Sequence, residues 1–126
     1  MHMLLLIGIG GFFGAILRYL MSGWIQNDVV AFPLGTLGVN FIGSFFLGLI
    51  MYLSEYKGIF NEDTRIFLTV GVLGAFTTMS TFSYESFKLL EQKEMLLLTI
   101  NVVSTILLTF AGIYLGKFIA VDIWRV

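Results

Sequence analysis

Four stretches of about 20 mostly apolar residues follow one another along this chain, with only short polar connections between them. They cover residues 3–24, 32–53, 65–89 and 95–119. An α-helix needs about 20 residues to cross the hydrocarbon core of a bilayer, so each stretch predicts a membrane-spanning helix. The sequence therefore predicts an all-α membrane protein with four transmembrane helices, in which residues 1–126 form a single domain.

The composition supports a surface that faces lipid. Hydrophobic residues make up 58% of the chain and charged residues 12%, whereas soluble domains carry about 25% charged residues. A formal net charge of −1 argues against a nucleic-acid partner, and the absence of cysteine excludes disulfides and thiolate metal sites. No Lys or Arg precedes the long first apolar stretch, so we expect a retained helix and not a cleaved signal peptide.

The basic residues are almost evenly divided between the two sides of the predicted bundle. The side of the N-terminus receives Lys57, Arg65, Lys117 and Arg125, and the opposite side receives Arg18, Lys88 and Lys93. Orientation normally follows an excess of Lys and Arg on the cytoplasmic side, which is almost absent here. The distribution predicts dual topology and an antiparallel homodimer, in which two chains reproduce the inverted repeat of many transporters. The alternative is that lipid or another factor fixes one orientation.

Two of the predicted helices carry polar groups that a lipid-facing surface does not need. Arg18 lies near the end of the first helix, where its side chain either reaches the interface or draws anions to a vestibule. Thr36 and Asn40 are four residues apart on the second helix and share a face. A buried Asn often bonds a neighbouring helix, but its two N–H donors also suit an anion that has lost its water.

The fourth predicted helix repeats this pattern with Asn101, Thr105 and Thr109 at successive four-residue steps. A single hydroxyl in a membrane helix usually bonds back to its own backbone. Three polar side chains in one stripe favour a surface that lines water or an ion path.

The third predicted helix contains the segment GVLGAFTTMSTFSYE at 71–85, which is rich in weak helix formers. Gly74 and the pair Thr77–Thr78 predict a break, and Ser80 or Thr81 is expected to cap the restarted helix. Unwound backbone at membrane depth persists only where protein or an ion satisfies it. Freed carbonyls would suit a hard cation, and sodium fits because no His or Cys is near.

Two further side chains of this segment have two interpretations each. Glu85 falls toward a membrane face, where it lies at a pore entrance or pairs with Lys88. Phe82 packs in the core or turns its ring edge, which carries partial positive charge, toward an anion.

Together these residues resemble the Fluc (CrcB) family of fluoride channels. The resemblance is carried by GFFGAILRY at 11–19, PLGTLGVNFIGSF at 33–45 and GVLGAFTTMSTFSYE at 71–85, and it covers essentially the whole chain. It implies an antiparallel, dual-topology dimer with two fluoride pores, a broken third helix and a central structural sodium ion. Backbone carbonyls matching Gly74 and Thr77 would hold that ion.

The resemblance also assigns the polar side chains to a fluoride path. Asn40 matches the pore Asn, Arg18 the conserved Arg of the first helix, and Glu85 a vestibule carboxylate, with Thr36 near the pore. Phe82 matches one of two edge-on phenylalanines. The full set of expected pore residues is Arg18, Thr36, Asn40, Met79, Ser80, Phe82, Glu85, Asn101, Thr105 and Thr109. Two of them depart from the family pattern, since Met79 stands in place of the other Phe and Asn101 in place of a Tyr.

Other functions fit the sequence less well. A small dual-topology proton-coupled exporter, or a fluoride/proton antiporter, needs an ionisable group at membrane depth, but Glu85 lies near a span end. An accessory protein would need glycine packing but not Asn40, Asn101 and a broken helix. His2 lies at a fraying end without a nucleophile–base pair, so an enzyme is not expected. The sequence therefore predicts a passive fluoride channel of a microbial plasma (inner) membrane, with fluoride and lipid as its partners.

Overall fold

The structure is a computed structural model that describes residues 1–123, and all regular structure in that range is helical. Helix α1 covers His2–Gln26 and α2 covers Leu34–Lys57. The third span joins α3 (Glu62–Ile66), a π-helical segment (Phe67–Leu73), α4 (Gly74–Phe76) and α5 (Met79–Glu91). The fourth consists of α6 (Met95–Phe118) and a second π-helical segment (Ile119–Ile123).

The four predicted spans are confirmed within two or three residues at most boundaries. By length and hydropathy His2–Gln26, Leu34–Lys57, Glu62–Glu91 and Met95–Asp122 are all apolar enough to cross a membrane. Large apolar side chains such as Phe12, Phe110 and Leu96 remain exposed on the outside of this bundle. Water would not stabilise such a surface, whereas lipid tails would, so the chain is a multi-pass membrane protein.

Glycine allows the helices to approach backbone to backbone. A Cβ atom added to Gly10 of α1 would lie 2.8 Å from the Phe67 carbonyl oxygen and 3.0 Å from the Cα atom of Gly71. On α2, a Cβ atom at Gly48 would lie 2.5 Å from the Ile113 carbonyl oxygen of α6. The first span therefore packs on the π-helical segment and the second on the fourth, through contacts that small residues make possible in membranes.

The third span is interrupted as the sequence predicts, although its axis bends by only 18°. Thr77 and Thr78 both have extended backbone, with ψ of 155° and 121°. The cap of the restarted helix was predicted wrongly, because Thr78 and neither Ser80 nor Thr81 performs this role. The Thr78 hydroxyl accepts the Thr81 N–H at 3.2 Å. An N-cap residue needs extended backbone, which Thr78 has, while positions 80 and 81 are already helical.

An ion pair identifies one end of the bundle. His2 Nε2 lies 2.9 Å from Asp63 Oδ2, so the start of the first span and the start of the third are side by side. Lys57, Arg65 and Lys117 belong to that end, and Arg125, which the sequence analysis counted with them, lies outside the described residues.

Candidate functional site

The side chain of Asn40 holds the broken backbone of the third span. Its Oδ1 accepts the Thr78 N–H at 2.9 Å, and its Nδ2 donates to the Thr78 carbonyl at 3.1 Å. Both residues are buried. Gly43 lies one turn further along α2. A Cβ atom at this position would collide with the Thr77 side chain, so the broken segment can pack here only against glycine. Helix α2 therefore supplies the hydrogen bonds that the third helix gives up at Thr78.

This arrangement diverts two backbone N–H groups away from helical bonding. In a continuous α-helix the Thr78 N–H would bond the Gly74 carbonyl, and the Thr81 N–H would bond the Thr77 carbonyl. Here the Thr78 N–H bonds Asn40 and the Thr81 N–H bonds the Thr78 hydroxyl. The two carbonyls predicted to hold a cation, on Gly74 and Thr77, are thus released from these helical bonds.

A groove of about 560 Å³ runs beside the break, between α2, the third span and α6. It brings together seven of the residues singled out from sequence: Asn40, Gly74, Thr77, Met79, Phe82, Thr105 and Thr109. Phe82 is half-buried in its wall, and Met79 is 71% exposed. The lining contains no charged side chain, so its polar character comes from hydroxyl, amide and backbone groups.

The hydroxyl of Thr105 is buried and unpartnered among the described residues. That of Thr109, one turn on, donates to the Thr105 carbonyl at 2.6 Å. A buried hydroxyl without a partner is unfavourable by about 1–3 kcal/mol, so such groups are rare without a reason. Thr105 is one of the residues that line the groove, which makes its hydroxyl a candidate donor for a ligand there.

Five of the ten expected pore residues lie outside the groove, and two of these, Asn101 and Ser80, line neither of the two smaller cavities that hold the other three. Asn101 is only 1% exposed, and its Nδ2 donates to the Ser86 hydroxyl of α5 at 3.0 Å. Ser80 is exposed, with its hydroxyl 3.4 Å from that of Thr78. The three polar residues of the fourth span therefore have different positions. Asn101 joins α6 to α5, while Thr105 and Thr109 line the groove.

Arg18 and Thr36 share a small cavity of about 160 Å³ on the other side of the break. Its wall also includes Thr81 and Thr78, and Thr78 lines the groove as well. Thr78 is the one residue that lines both the cavity of Arg18 and the groove.

Glu85 is joined to the same region through Thr36, whose hydroxyl donates to Glu85 Oε1 at 2.5 Å. Glu85 also lines a third cavity of about 170 Å³, here called the mouth cavity, together with Gln26, Lys88 and Gln92. Glu85 and Lys88 form no ion pair in the described part of the chain, so the hydroxyl of Thr36 takes the place of the pairing considered from sequence.

Sequence reasoning missed three residues of this region, and it named Thr78 only as part of the break, without its contacts. Thr78 is at its centre, Gln26 and Ser86 bond across chain segments, and Ser44 lines the groove. Only Thr78 had a local signal, since a hydroxyl before a helical run is typical of an N-cap. The partners of Gln26 and Ser86 depend on how the helices meet, which no local pattern encodes.

Comparison with known proteins gives a consistent result over nearly the whole chain. Residues 5–117 match the family described as CrcB-like protein, Camphor Resistance (CrcB). A protein of Methanosarcina acetivorans named fluoride-specific ion channel FluC 1 is 63% identical over 123 residues, which cover 98% of this chain and 94% of the relative. Proteins named fluoride-specific ion channel FluC from Methanococcus vannielii and Geotalea daltonii are 47% and 45% identical, over 94% and 92% of this chain and 96% and 94% of the relatives.

Proposed function

Because this chain belongs to the CrcB family, we propose that it is a fluoride-selective passive ion channel that carries fluoride out of the cell. The family is a family of ion channels, so the chain is not an enzyme. Fluoride enters cells as HF when the outside is acidic, and it is trapped as the anion in the near-neutral interior. A passive pore then lets it leave down its electrochemical gradient without ATP.

The observation that carries this proposal is the groove in which Asn40, Thr105 and Phe82 face one space without a charged neighbour. Fluoride is small and strongly hydrated, so a pore must replace its water with several donors. A buried Lys or Arg among them would hold the anion too tightly for conduction, which requires both entry and release. The unpartnered Thr105 hydroxyl and the edge of a phenylalanine ring are donors of the weak kind required.

The proposed path enters on the side of Arg18 and Glu85. Arg18 adds positive charge beside the break, and Thr36 connects the two residues through the shared cavity and its bond to Glu85. Beyond the break Met79, Thr105 and Thr109 continue along the groove. The expected roles of Ser80 and Asn101 as pore residues receive no support from their positions.

We infer that the working unit is an antiparallel homodimer with dual topology and two pores. Two observations support this inference. The sequence assigns four basic residues to one side of the bundle and three to the other, which leaves almost none of the usual signal for one orientation. Large apolar side chains in the lining of the groove, Met79 and Phe110, are also exposed, and a second copy packed there would cover them.

A structural sodium ion is the remaining part of the proposal. Sodium is a hard cation and prefers oxygen ligands such as backbone carbonyls. The Gly74 and Thr77 carbonyls fit this preference, because the N–H groups that would bond them in a helix bond other acceptors. Bound there, the ion would supply positive charge that satisfies the carbonyls of an interrupted helix. We place the protein in the plasma (inner) membrane of a microbe.

The decisive experiment measures fluoride efflux from liposomes that hold the purified protein, with chloride as the control ion and no proton gradient. The proposal expects rapid fluoride loss once valinomycin relieves the membrane voltage, with chloride retained. Efflux that requires a proton gradient would instead indicate a fluoride/proton antiporter or a small proton-coupled exporter, and would direct attention to Glu85. No fluoride movement from folded, dimeric protein would refute a fluoride transport function.

A further inference from the structure

The carboxamide of Gln26, the last residue of α1, bonds three backbone groups beyond its own helix. Its Nε2 donates to the Val29 carbonyl at 2.5 Å and to the Phe32 carbonyl at 2.8 Å. Its Oε1 accepts the Gly35 N–H at 2.7 Å. Both N–H donors of the side chain are therefore used, and one residue holds the connection between the first two spans at three points.

The bond to Gly35 supplies what the start of α2 lacks. The first N–H groups of a helix have no partner within it, and Pro33, the residue before α2, contributes no side-chain cap. Gln26 provides this cap from nine residues earlier in the chain. The two helix ends are also in direct contact, because a Cβ atom at Gly35 would collide with the Ser22 carbonyl.

The Gln26 side chain with its bonds to Val29, Phe32 and Gly35, here called the clamp, lies next to the proposed fluoride entrance. Gly35 is followed by Thr36, whose hydroxyl bonds Glu85. Gln26 and Phe32 form one wall of the mouth cavity, and Glu85 and Lys88 form the other. A shift of the connection would therefore change the width of the mouth cavity and the distance from Thr36 to Glu85.

We propose that Gln26 is a positioning residue for fluoride entry, an inference that rests on the proposed channel function. By fixing the connection and the start of α2, Gln26 keeps Thr36 against Glu85 and keeps the mouth cavity open. It does not reach the groove, so passage beyond the break does not depend on it.

The test replaces Gln26 with Glu or with Met and measures fluoride efflux from liposomes across a range of fluoride concentrations. Gln26→Glu keeps an acceptor for Gly35 but faces two carbonyls without a donor, and Gln26→Met keeps the length but loses all three bonds. Entry limits efflux when fluoride is scarce. We therefore expect a loss of about threefold to tenfold at low fluoride, and a much smaller loss at saturating fluoride.

The matched control is Gln92→Glu, which adds the same charge to the same mouth cavity and leaves the clamp intact. An equal loss in this control and in Gln26→Glu, with no loss in the neutral Gln26→Met, would show that charge alone acts and would overturn the inference. An equal loss at all fluoride concentrations would do the same, since it would indicate fewer active channels.

A second measurement does not depend on transport. Amide hydrogen exchange across residues 27–35 should be about tenfold faster in Gln26→Met than in the unsubstituted protein, while exchange near Thr105 stays the same. Unchanged exchange at 27–35 would refute the clamp. Absence of fluoride efflux from the unsubstituted protein would instead refute the channel function, so the two failures are distinguishable.

Discussion

Asn40 and Thr78 form a reciprocal pair in which one side-chain amide bonds both the N–H and the carbonyl of one backbone residue. The pair is buried and joins the second span to the break in the third. The geometry of the groove at this point is therefore set by a contact between two helices, and it changes if either partner is altered.

Asn40→Ala should lower both stability and transport. The substitution leaves the Thr78 N–H and carbonyl without these partners, which we expect to reduce the free energy of unfolding by about 1–3 kcal/mol. Fluoride efflux from liposomes should fall by about tenfold or more, since Asn40 both lines the groove and holds the broken backbone beside it.

Asn101→Ala is the matched control, because Asn101 is an equally buried amide that bonds Ser86 outside the groove. It should lower thermal stability to a similar extent and leave efflux per folded protein nearly unchanged. Equal losses of efflux in the two variants would contradict a specific role for Asn40.

Thr105→Val should separate stability from function. Removing a buried hydroxyl that has no partner within residues 1–123 relieves a desolvation penalty, so the unfolding temperature should stay the same or rise. Fluoride efflux should nevertheless fall several-fold, because the proposed path loses a candidate donor in the lining of the groove. Both quantities are measured on the same preparation, with Thr99→Val, an exposed position on the same helix, as the control. A marked loss of stability in Thr105→Val would indicate that its hydroxyl has a structural partner.

Sodium bound at the break in the third span should raise the unfolding temperature of the protein. Replacing sodium by N-methylglucamine should lower the unfolding temperature, since a ligand at about 100 times its Kd contributes about 2.7 kcal/mol. Thr78→Val should reduce this difference, because the Thr81 N–H then becomes free to bond the Thr77 carbonyl. Thermal unfolding in detergent in the two salts measures the effect, and an identical unfolding temperature in both would argue against the ion.

Substitution by Ala should change the stability of the protein in opposite directions at two adjacent glycines of α1. Gly10→Ala forces a Cβ atom against the backbone at Phe67 and Gly71, and we expect a loss of about 1–3 kcal/mol. Gly11 has nothing within 4 Å of an added Cβ atom, so Gly11→Ala should stabilise the helix by about 0.5–1 kcal/mol. Thermal unfolding of the two variants tests the packing of α1 on the π-helical segment, and a gain of stability in Gly10→Ala would refute it.

The sequence was sufficient to predict the four spans because length and hydropathy alone decide whether a segment crosses a bilayer. It also predicted the break, since Gly74 and the pair Thr77–Thr78 combine weak helix formers in one place. The wrongly predicted cap depended on backbone angles at single residues, which composition does not determine.

The position of Asn101 has a geometric explanation. Each four-residue step turns a helix by about 400°, so successive members of such a stripe drift by about 40° around the axis. Asn101 and Thr109 are thus about 80° apart, which is enough to place one against α5 and the other in the groove. The bonds of Gln26 could not be predicted either, because they depend on the path of a connection that carries no periodic pattern.

The interruption of the third span has a consequence for biogenesis. The segment Glu62–Glu91 bends so little that, to the insertion machinery, it should behave as one continuous hydrophobic segment. The bond that completes the break comes from Asn40 on a different span. An isolated third span has every backbone partner it needs as an ordinary helix, so the interruption should form only when the second and third spans meet in the bilayer. The ion path would then be assembled by helix association, after each helix is already in the membrane.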